Sequence, residues 1–248
     1  MSVIYVLWLR ELRRYIRSRA QIVASLGQPT LYLVALGFGL GPVFQRAGEG
    51  NYVQFVAPGI MAMTVLFSSI FSGMGLLWDR QLGFLKETLV APVPRFQIML
   101  GRTLGAATVA LCQGLLVAVV CLIVGFRPVD AAGLPVALGL LMLIACLFSA
   151  LGTAIGSLLE NIQGFQMIMS FLVMPIFFLS GALYPLTNLP RAMTVITSLD
   201  PLAYGVDGLR STLIGVSHFG LATDTIILSV SAAVLVWVGS HFFSKIQI

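Results

Sequence analysis

The chain has 248 residues, of which 58% are hydrophobic and only 9% are Asp, Glu, Lys or Arg, and its formal net charge is +5. A soluble domain carries about 25% charged residues, so this composition excludes a water-soluble globular protein. The sequence therefore predicts an all-α membrane protein, in which long intervals without charge cross the bilayer.

The first segment, residues 1–20, is predicted to be an amphipathic helix at the membrane interface. Its basic residues recur at i, i+3, i+4 and i+7, with an apolar stripe beside them. A basic amphipathic helix is typical of a segment that lies at the headgroup level and contacts membrane lipid. The residues assigned to this interface helix are Trp8, Arg10, Arg13, Arg14 and Arg17. We expect the N-terminus to be retained, because the helix leads into a full-length span and not into a cleavage site.

Six intervals are longer than the roughly 18 apolar residues that a transmembrane helix needs. The predicted spans are residues 21–44, 52–78, 103–126, 134–159, 164–184 and 224–243. Most Lys and Arg residues fall on the side that holds both termini, and the positive-inside rule makes that side cytoplasmic. The sequence therefore predicts a multi-pass protein of the plasma (cytoplasmic or inner) membrane with both termini in the cytoplasm.

Residues 79–102 form the longest predicted cytoplasmic segment. Leu82, Leu85 and Leu89 share one helical face, and Pro92 and Pro94 then end the helix. The segment is too charged for hydrocarbon and too apolar for a free linker. We therefore expect a short docking helix that rests against another protein surface.

Residues 185–223 form a predicted outer segment in which helix breakers alternate with short apolar stretches. This pattern favours two half-helices that dip into the bilayer and return, an arrangement tolerated where the backbone is buried in protein or lines a cavity. The residues assigned to this re-entrant pair, as a hypothetical outer gate, are Pro185, Pro190, Asp200, Pro201, Tyr204, Asp207 and Arg210. A structural alternative is that Asp207 and Arg210, three residues apart, simply pair with each other.

No motif for chemistry is found in the sequence. It contains no HExxH, no CxxC, no GxxxxGK[ST] nucleotide loop and no group of metal ligands, so we expect no metal, no cofactor and no enzymatic activity in this chain. Cys112, Cys121 and Cys146 all fall in predicted spans, where core packing is the expected role. The Gly-xxx-Gly spacings at Gly37, Gly101 and Gly152 are weak signals of helix packing.

Two other classes of protein stay open on these grounds. An ion-coupled carrier or channel is possible with six spans, but it would normally place ionisable residues at membrane depth, and no span centre has one. A membrane-embedded enzyme acting on lipid would need a reactive group of residues. Its candidates, Asp200, Tyr204, Asp207 and Arg210, are read more easily as caps and turn residues.

Four segments resemble the ABC-2 family of exporter permeases, in that family's order and spacing. They are YVQFVAPGIMAM at Tyr52, FLKETLVAPVPR at Phe84, FFLSGALYPLTNLP at Phe177 and LDPLAYGVDGLR at Leu199. The similarity covers nearly the whole chain, and the subgroup of drug, polyketide and nodulation-factor exporters looks nearest.

The resemblance implies a permease half that moves a hydrophobic or amphiphilic substrate outward. It implies two kinds of partner. One kind is a pair of cytoplasmic ABC ATPase subunits that bind ATP and Mg, and the other is a second permease that completes a dimer. We expect no nucleic-acid partner. It also implies that the loop after the second span is a coupling helix seated on the ATPase. The residues carried over to that role are Asp79, Arg80, Gly83, Phe84, Lys86, Glu87, Pro92 and Pro94.

Overall fold

The computed structural model describes residues 2–46, 50–84, 93–186 and 190–244. Within these ranges the regular structure consists of nine α-helices and one short 3-10 helix, which confirms the predicted all-α class. The helices are α1 Val3–Arg17, α2 Arg19–Arg46, α3 Tyr52–Gln81, α4 Arg95–Val124, α5 Leu134–Leu158, α6 Ile162–Leu179, α7 Arg191–Leu199, α8 Pro201–Ile214 and α9 Leu221–Ser244. The 3-10 helix, Ala131–Gly133, directly precedes α5.

Six of the described helices are long and apolar enough to cross a membrane, namely α2, α3, α4, α5 with its 3-10 turn, α6 and α9. This confirms the predicted number of spans, although two helix ends lie five or more residues from the expected positions. α4 begins at Arg95, well before the expected start at residue 103, because its first turns continue outside the apolar interval. α6 ends at Leu179, before the expected residue 184, because Gly181 takes a positive φ of 70° and turns the chain.

Short polar side chains begin several helices. Asn51 accepts a hydrogen bond from Val53 N at the start of α3, Asn161 from Gly164 N at the start of α6, and Asp200 from Leu202 N at the start of α8. Each satisfies one of the backbone amides that a helix N-terminus leaves without a partner.

The core lies between α3 and α5, whose backbones touch through glycine. An added methyl group at Gly73 or Gly152 would collide with a backbone carbonyl of the facing helix, and at Gly156 it would lie 2.7 Å from Gly73 O. Close approach of this kind is how small residues hold membrane helices together. The Gly-xxx-Gly spacing that begins at Gly152 is therefore a packing contact.

The N-terminal helix α1 packs on α4 through a second glycine pair. A methyl group at Gly101 would lie 3.0 Å from the backbone of Ile4, and one at Gly105 would lie 2.9 Å from Cβ of Glu11. The helix buries Leu7 and Tyr15 on this side. α1 is therefore a packed part of the helical bundle, as well as the amphipathic segment that the sequence predicts.

The helix α8 lies along the first half of α5. Gly133 faces the carbonyl of Thr212, and Gly205 approaches Ile144. The eleven helical steps from Gly133 to Ile144 correspond to about 16 Å, or about half of a 30 Å hydrocarbon core. The N-terminus of α8 therefore lies deeper along α5 than its C-terminus.

The molecule has two ends that are described separately below. The α1 end holds α1, the last turn of α3, the first turns of α4 and the connection after α5. The α8 end holds the start of α3, residues 125–133, residues 180–186, and the connection between α8 and α9.

Candidate functional site

A buried ion-pair network joins three helices at the α1 end. The carboxylate of Asp79, on the last turn of α3, accepts a hydrogen bond from Arg10 Nη2 of α1 at 2.8 Å. Arg102 Nη2 of α4 donates to the same oxygen, Asp79 Oδ2. Asp79 and Arg102 are 8% and 6% exposed. One carboxylate therefore ties α1, α3 and α4 together.

Glu11 completes the charge balance of this network. Arg10 Nη2 lies 3.1 Å from Glu11 Oε1 as well as contacting Asp79. Partial burial alone would lower the pKa of Arg10, but the two neighbouring carboxylates, Asp79 and Glu11, outweigh burial and raise that pKa above its ordinary value. Arg10 is therefore charged at every physiological pH, so its ion pairs with Asp79 and Glu11 persist over that range.

Arg80, the next residue of α3, joins the connection between α5 and α6. Its Nη1 donates to Leu159 O at 3.1 Å, and its Nη2 lies 3.4 Å from Glu160 Oε1. Asp79 and Arg80, both assigned to ATPase docking from the sequence, thus make contacts within this chain. Their role in docking stays a prediction.

Beyond Gln81 the described chain ends in an exposed apolar turn. Leu82 and Phe84 are 65% and 52% exposed, and Gly83 between them has a φ of 82°. Lys86, Glu87 and Pro92, which were predicted at the centre and end of the docking helix, lie outside the described residues. The chain resumes before Pro94, which directly precedes α4.

The interface-helix residues divide into two groups. Trp8 Nε1 donates to Thr108 Oγ1 of α4 at 3.0 Å, and Arg10 belongs to the Asp79 network, so both point toward the protein. Arg13, Arg14 and Arg17 are exposed. This second group is the exposed part of the predicted basic stripe, from which Arg10 departs because it contacts Asp79.

At the α8 end, Arg210 is buried and satisfied by backbone carbonyls. Its Nη2 donates to Ala182 O at 3.0 Å and its Nε to Phe55 O at 3.3 Å. The guanidinium also lies 3.8 Å from the ring centre of Phe55, a cation–π contact. Arg210 therefore joins α8 to the start of α3 and to the turn after α6.

Asp207 stabilises the connection between α8 and α9. Its carboxylate accepts hydrogen bonds from the backbone amides of His218 at 2.8 Å and Phe219 at 2.7 Å, and from Ser217 Oγ at 3.4 Å. Arg210 lies one helical turn away but donates to carbonyls instead. The local Asp207–Arg210 pair considered from the sequence is replaced by these two separate sets of contacts.

The turn between α7 and α8 is built by Asp200 and Tyr204. Asp200 begins α8 with Pro201 at the first helical position, where proline is well tolerated. Tyr204 donates its hydroxyl to Ser198 O at 2.8 Å, and its ring centre lies 4.6 Å from that of Phe219. Pro190 directly precedes α7, and Pro185 lies in the turn that follows α6.

Several residues of these two clusters were not singled out from the sequence. No sequence pattern points to Glu11, while Arg102 and Asp224 mark only the boundaries of charge-free intervals. Asp224 is 0% exposed, in the first turn of α9. A charged residue at the edge of an apolar interval was the available signal, but it does not identify the partner.

In the described residues no group of three His, Cys, Asp or Glu side chains could hold a metal ion. Cys112, Cys121 and Cys146 are free thiols within that part of the chain. The two polar clusters consist of arginines, carboxylates and backbone groups linked by hydrogen bonds and ion pairs. The carboxylate of Asp224 and one carboxylate oxygen of Asp200 accept no hydrogen bond among the described residues. The arrangement of the two clusters holds neighbouring helices and connections in place.

The described residues thus define a multi-pass helical membrane protein with an ion-pair network at the α1 end and a buried polar cluster at the α8 end. A family model of the ABC-2 type transporter matches residues 2–214. The chain belongs to the ABC-2 type transporter family and is a membrane transport permease. Permeases of this family generally pair with ABC ATPase subunits.

Curated proteins from different organisms are similar to this chain. The inner membrane transport permease YadH of Escherichia coli (strain K12) is 28% identical over 229 residues, which cover 90% of this chain and 88% of YadH. Nodulation protein J of Rhizobium meliloti (strain 1021) is 29% identical over 206 residues, covering 82% of this chain and 78% of that protein. The putative transport permease ycf38 of Cyanophora paradoxa is 28% identical across 98% of this chain and 88% of its own length.

Proposed function

We propose that this chain is the permease subunit of an ATP-driven exporter, moving a hydrophobic or amphiphilic substrate outward across the plasma (inner) membrane. In this proposal two separate ABC ATPase subunits bind and hydrolyse ATP with Mg, and a second permease completes the pathway. The transport permeases among the relatives support the class of function. This chain would then contribute no catalytic residue of its own.

The observation that carries the proposal is the exposed turn at Leu82 and Phe84, which directly follows a fixed helix end, the last turn of α3. The last turn of α3 is held in place because Asp79 joins it to α1 and α4, while Arg80 joins it to the connection after α5. Large apolar side chains that protrude next to a fixed helix end favour a protein contact over a mobile linker. We propose that this turn, together with Lys86 and Glu87, seats on the ATPase.

The distribution of charge supports the proposed orientation. Arg13, Arg14 and Arg17 are exposed at the α1 end, which also holds Arg80 and Arg95. Positive residues beside membrane helices are retained on the cytoplasmic side. The α1 end would accordingly face the cytoplasm and the ATPase, with both termini on that side.

The outer segment has a place in the same proposal. α8 lies beside the first half of α5, which suits a half-helix that enters the bilayer from the outer side and is covered by protein. Arg210 links this helix to α3, the helix that ends at the docking turn. We propose that α7 and α8 form the outer gate, which α3 moves during transport.

Copurification and export assays test the ATPase assignment. The complex carrying Phe84→Ala and Glu87→Ala should retain much less ATPase subunit than the unchanged permease and should lose ATP-driven export. The matched control is Val129→Ala, which truncates an apolar residue that is 76% exposed at the α8 end and should leave both measurements unchanged. An unchanged complex with full export in the double variant would contradict the docking assignment.

A further inference from the structure

A cleft of about 380 Å³ opens between α1, α2, α3 and α4 at the α1 end. This volume lies within the range of about 300–1,000 Å³ that is typical of ligand sites. Its lining mixes side chains of opposite character, since Arg14, Gln21 and Gln28 lie on it together with Met63, Phe67 and Phe71. The cleft therefore offers both polar and apolar contacts to one occupant.

The polar lining follows one face of α3 toward the middle of the helix. Thr64, Ser68 and Ser72 line the cleft at four-residue spacing, and Gly75 continues the same face. The distance from Thr64 to Gly75 along the helix is about 16 Å. The cleft thus runs from the α1 end to about the middle of a bilayer.

Arg14 stands at the α1 end of this cleft with its charge uncompensated. Its Nη1 lies 3.6 Å from the position that a Cβ of Gly75 would occupy, so the guanidinium reaches across the space that glycine leaves open. Arg10, Arg80 and Arg102 each pair with a carboxylate. Among the described residues no acidic side chain pairs with Arg14.

The other charged residue on the cleft does not cancel Arg14. Glu11 also lines it, but its Oε1 is paired with Arg10 at 3.1 Å. The side-chain amides of Gln21 and Gln28 can donate to oxygen atoms of a ligand. The hydroxyls of Ser25, Thr64 and Ser72 already donate to backbone carbonyls and can only accept. The charge that the cleft leaves available is therefore positive and adjoins neutral hydrogen-bond donors.

We infer that this cleft binds an amphiphile with an anionic headgroup, such as an alkyl phosphate. Arg14 contacts the anionic oxygens, the neutral polar side chains contact the rest of the headgroup, and Met63, Phe67 and Phe71 contact the alkyl chain. A bilayer phospholipid and a transported amphiphile share this chemistry. Only the identification of the ligand as transported substrate rests on the proposed function.

Dodecyl phosphate is the probe that tests the site, titrated against the purified full chain in maltoside detergent and counted by native mass spectrometry. Arg14→Gln should weaken binding at least about tenfold, the loss expected for one charge-assisted hydrogen bond. Gly75→Phe should abolish it by filling the cleft. This variant should fold, because an added Cβ meets only the end of Arg14.

Two matched variants serve as controls. Arg17→Gln removes the same charge from an exposed position of α1 outside the cleft lining, and Gly139→Phe adds the same ring at a glycine with nothing within 4 Å. Both should bind dodecyl phosphate as the unchanged chain does. Equal binding by all five proteins, or an equal loss in Arg14→Gln and Arg17→Gln, would overturn the proposal.

The source of the ligand is resolved by extracting lipid from chains purified out of phosphatidylglycerol and phosphatidylcholine vesicles. Retention of phosphatidylglycerol by the unchanged chain, with its loss in Arg14→Gln, supports a bilayer lipid. Binding of dodecyl phosphate without retained phospholipid supports a transported amphiphile. Because these measurements use no ATPase, a failed copurification would leave their outcome unaffected.

Discussion

Arg102 of α4 donates to the carboxylate of Asp79 on α3, and both side chains are almost completely buried. Replacing one member of a buried pair leaves the other charge without compensation, which costs about 3–5 kcal/mol. We therefore expect Asp79→Ala to lower the free energy of unfolding by about that amount. Titration of the purified chain with SDS in mixed micelles measures it.

The control for this prediction is Glu160→Ala, which also removes a carboxylate paired with an arginine. That pair is 3.4 Å long and the glutamate side chain is 83% exposed, so its loss should cost less than about 1 kcal/mol. Similar decreases in the free energy of unfolding for Asp79→Ala and Glu160→Ala would show that the Asp79 ion-pair network stabilises the chain no more than a surface pair does.

Arg210→Met should loosen the α8 end. The substitution keeps the length of the side chain but removes the donor to Ala182 O, on a fully buried residue, at a cost of about 1–3 kcal/mol for the buried acceptor. It also removes the hydrogen bond to Phe55 O. Backbone amides of α8 should exchange hydrogen faster as a result. Arg127→Met, at an exposed position of the same end, should leave the exchange of α8 unchanged.

Gly152→Ala should separate α3 from α5. The added methyl group would collide with the backbone carbonyl of Ile70, and the backbone cannot move aside as a flexible side chain could. Overpacking of this kind costs about 1–3 kcal/mol, measured as a lower unfolding free energy. Gly139→Ala has nothing within 4 Å of the new Cβ and should stabilise α5 by up to about 1 kcal/mol.

Asp207→Ala should release the connection between α8 and α9. The backbone amides of His218 and Phe219 lose their acceptor, so hydrogen exchange at residues 216–220 should rise. Asp207→Asn keeps one acceptor oxygen and should give an intermediate rate. If all three proteins exchange equally at these amides, the carboxylate does not order the connection.

The sequence was sufficient for the parts of the fold that depend on neighbouring residues. Charge-free intervals placed six spans, because hydrocarbon excludes charge over about 20 residues of helix. The breakers around Pro190 and Pro201 placed two short helices. The ends of the spans do not follow from these intervals, since Arg95 and Arg102 are compatible with a helix that continues past the apolar interval.

The contacts within the candidate sites were not predictable from the sequence. Arg10 and Asp79 are 69 residues apart, and Arg210 and Phe55 are 155 apart. Helical periodicity shows which residues share a face of one helix, but not which face meets another helix. The sequence therefore did not show that Asp79 contacts α1 and α4 or that Arg80 contacts the connection after α5. The role of both residues in ATPase docking stays a prediction.

The shared carboxylate of Asp79 also determines which helices can move independently. A force applied at Phe84 would pass from α3 to α1 and α4 together, because Asp79 of α3 forms ion pairs with Arg10 of α1 and Arg102 of α4. Within the described residues, no ion pair involves α2, and most of its surface is exposed. We expect α2 to move relative to α1, α3 and α4, so that the cleft between them would widen and narrow during transport.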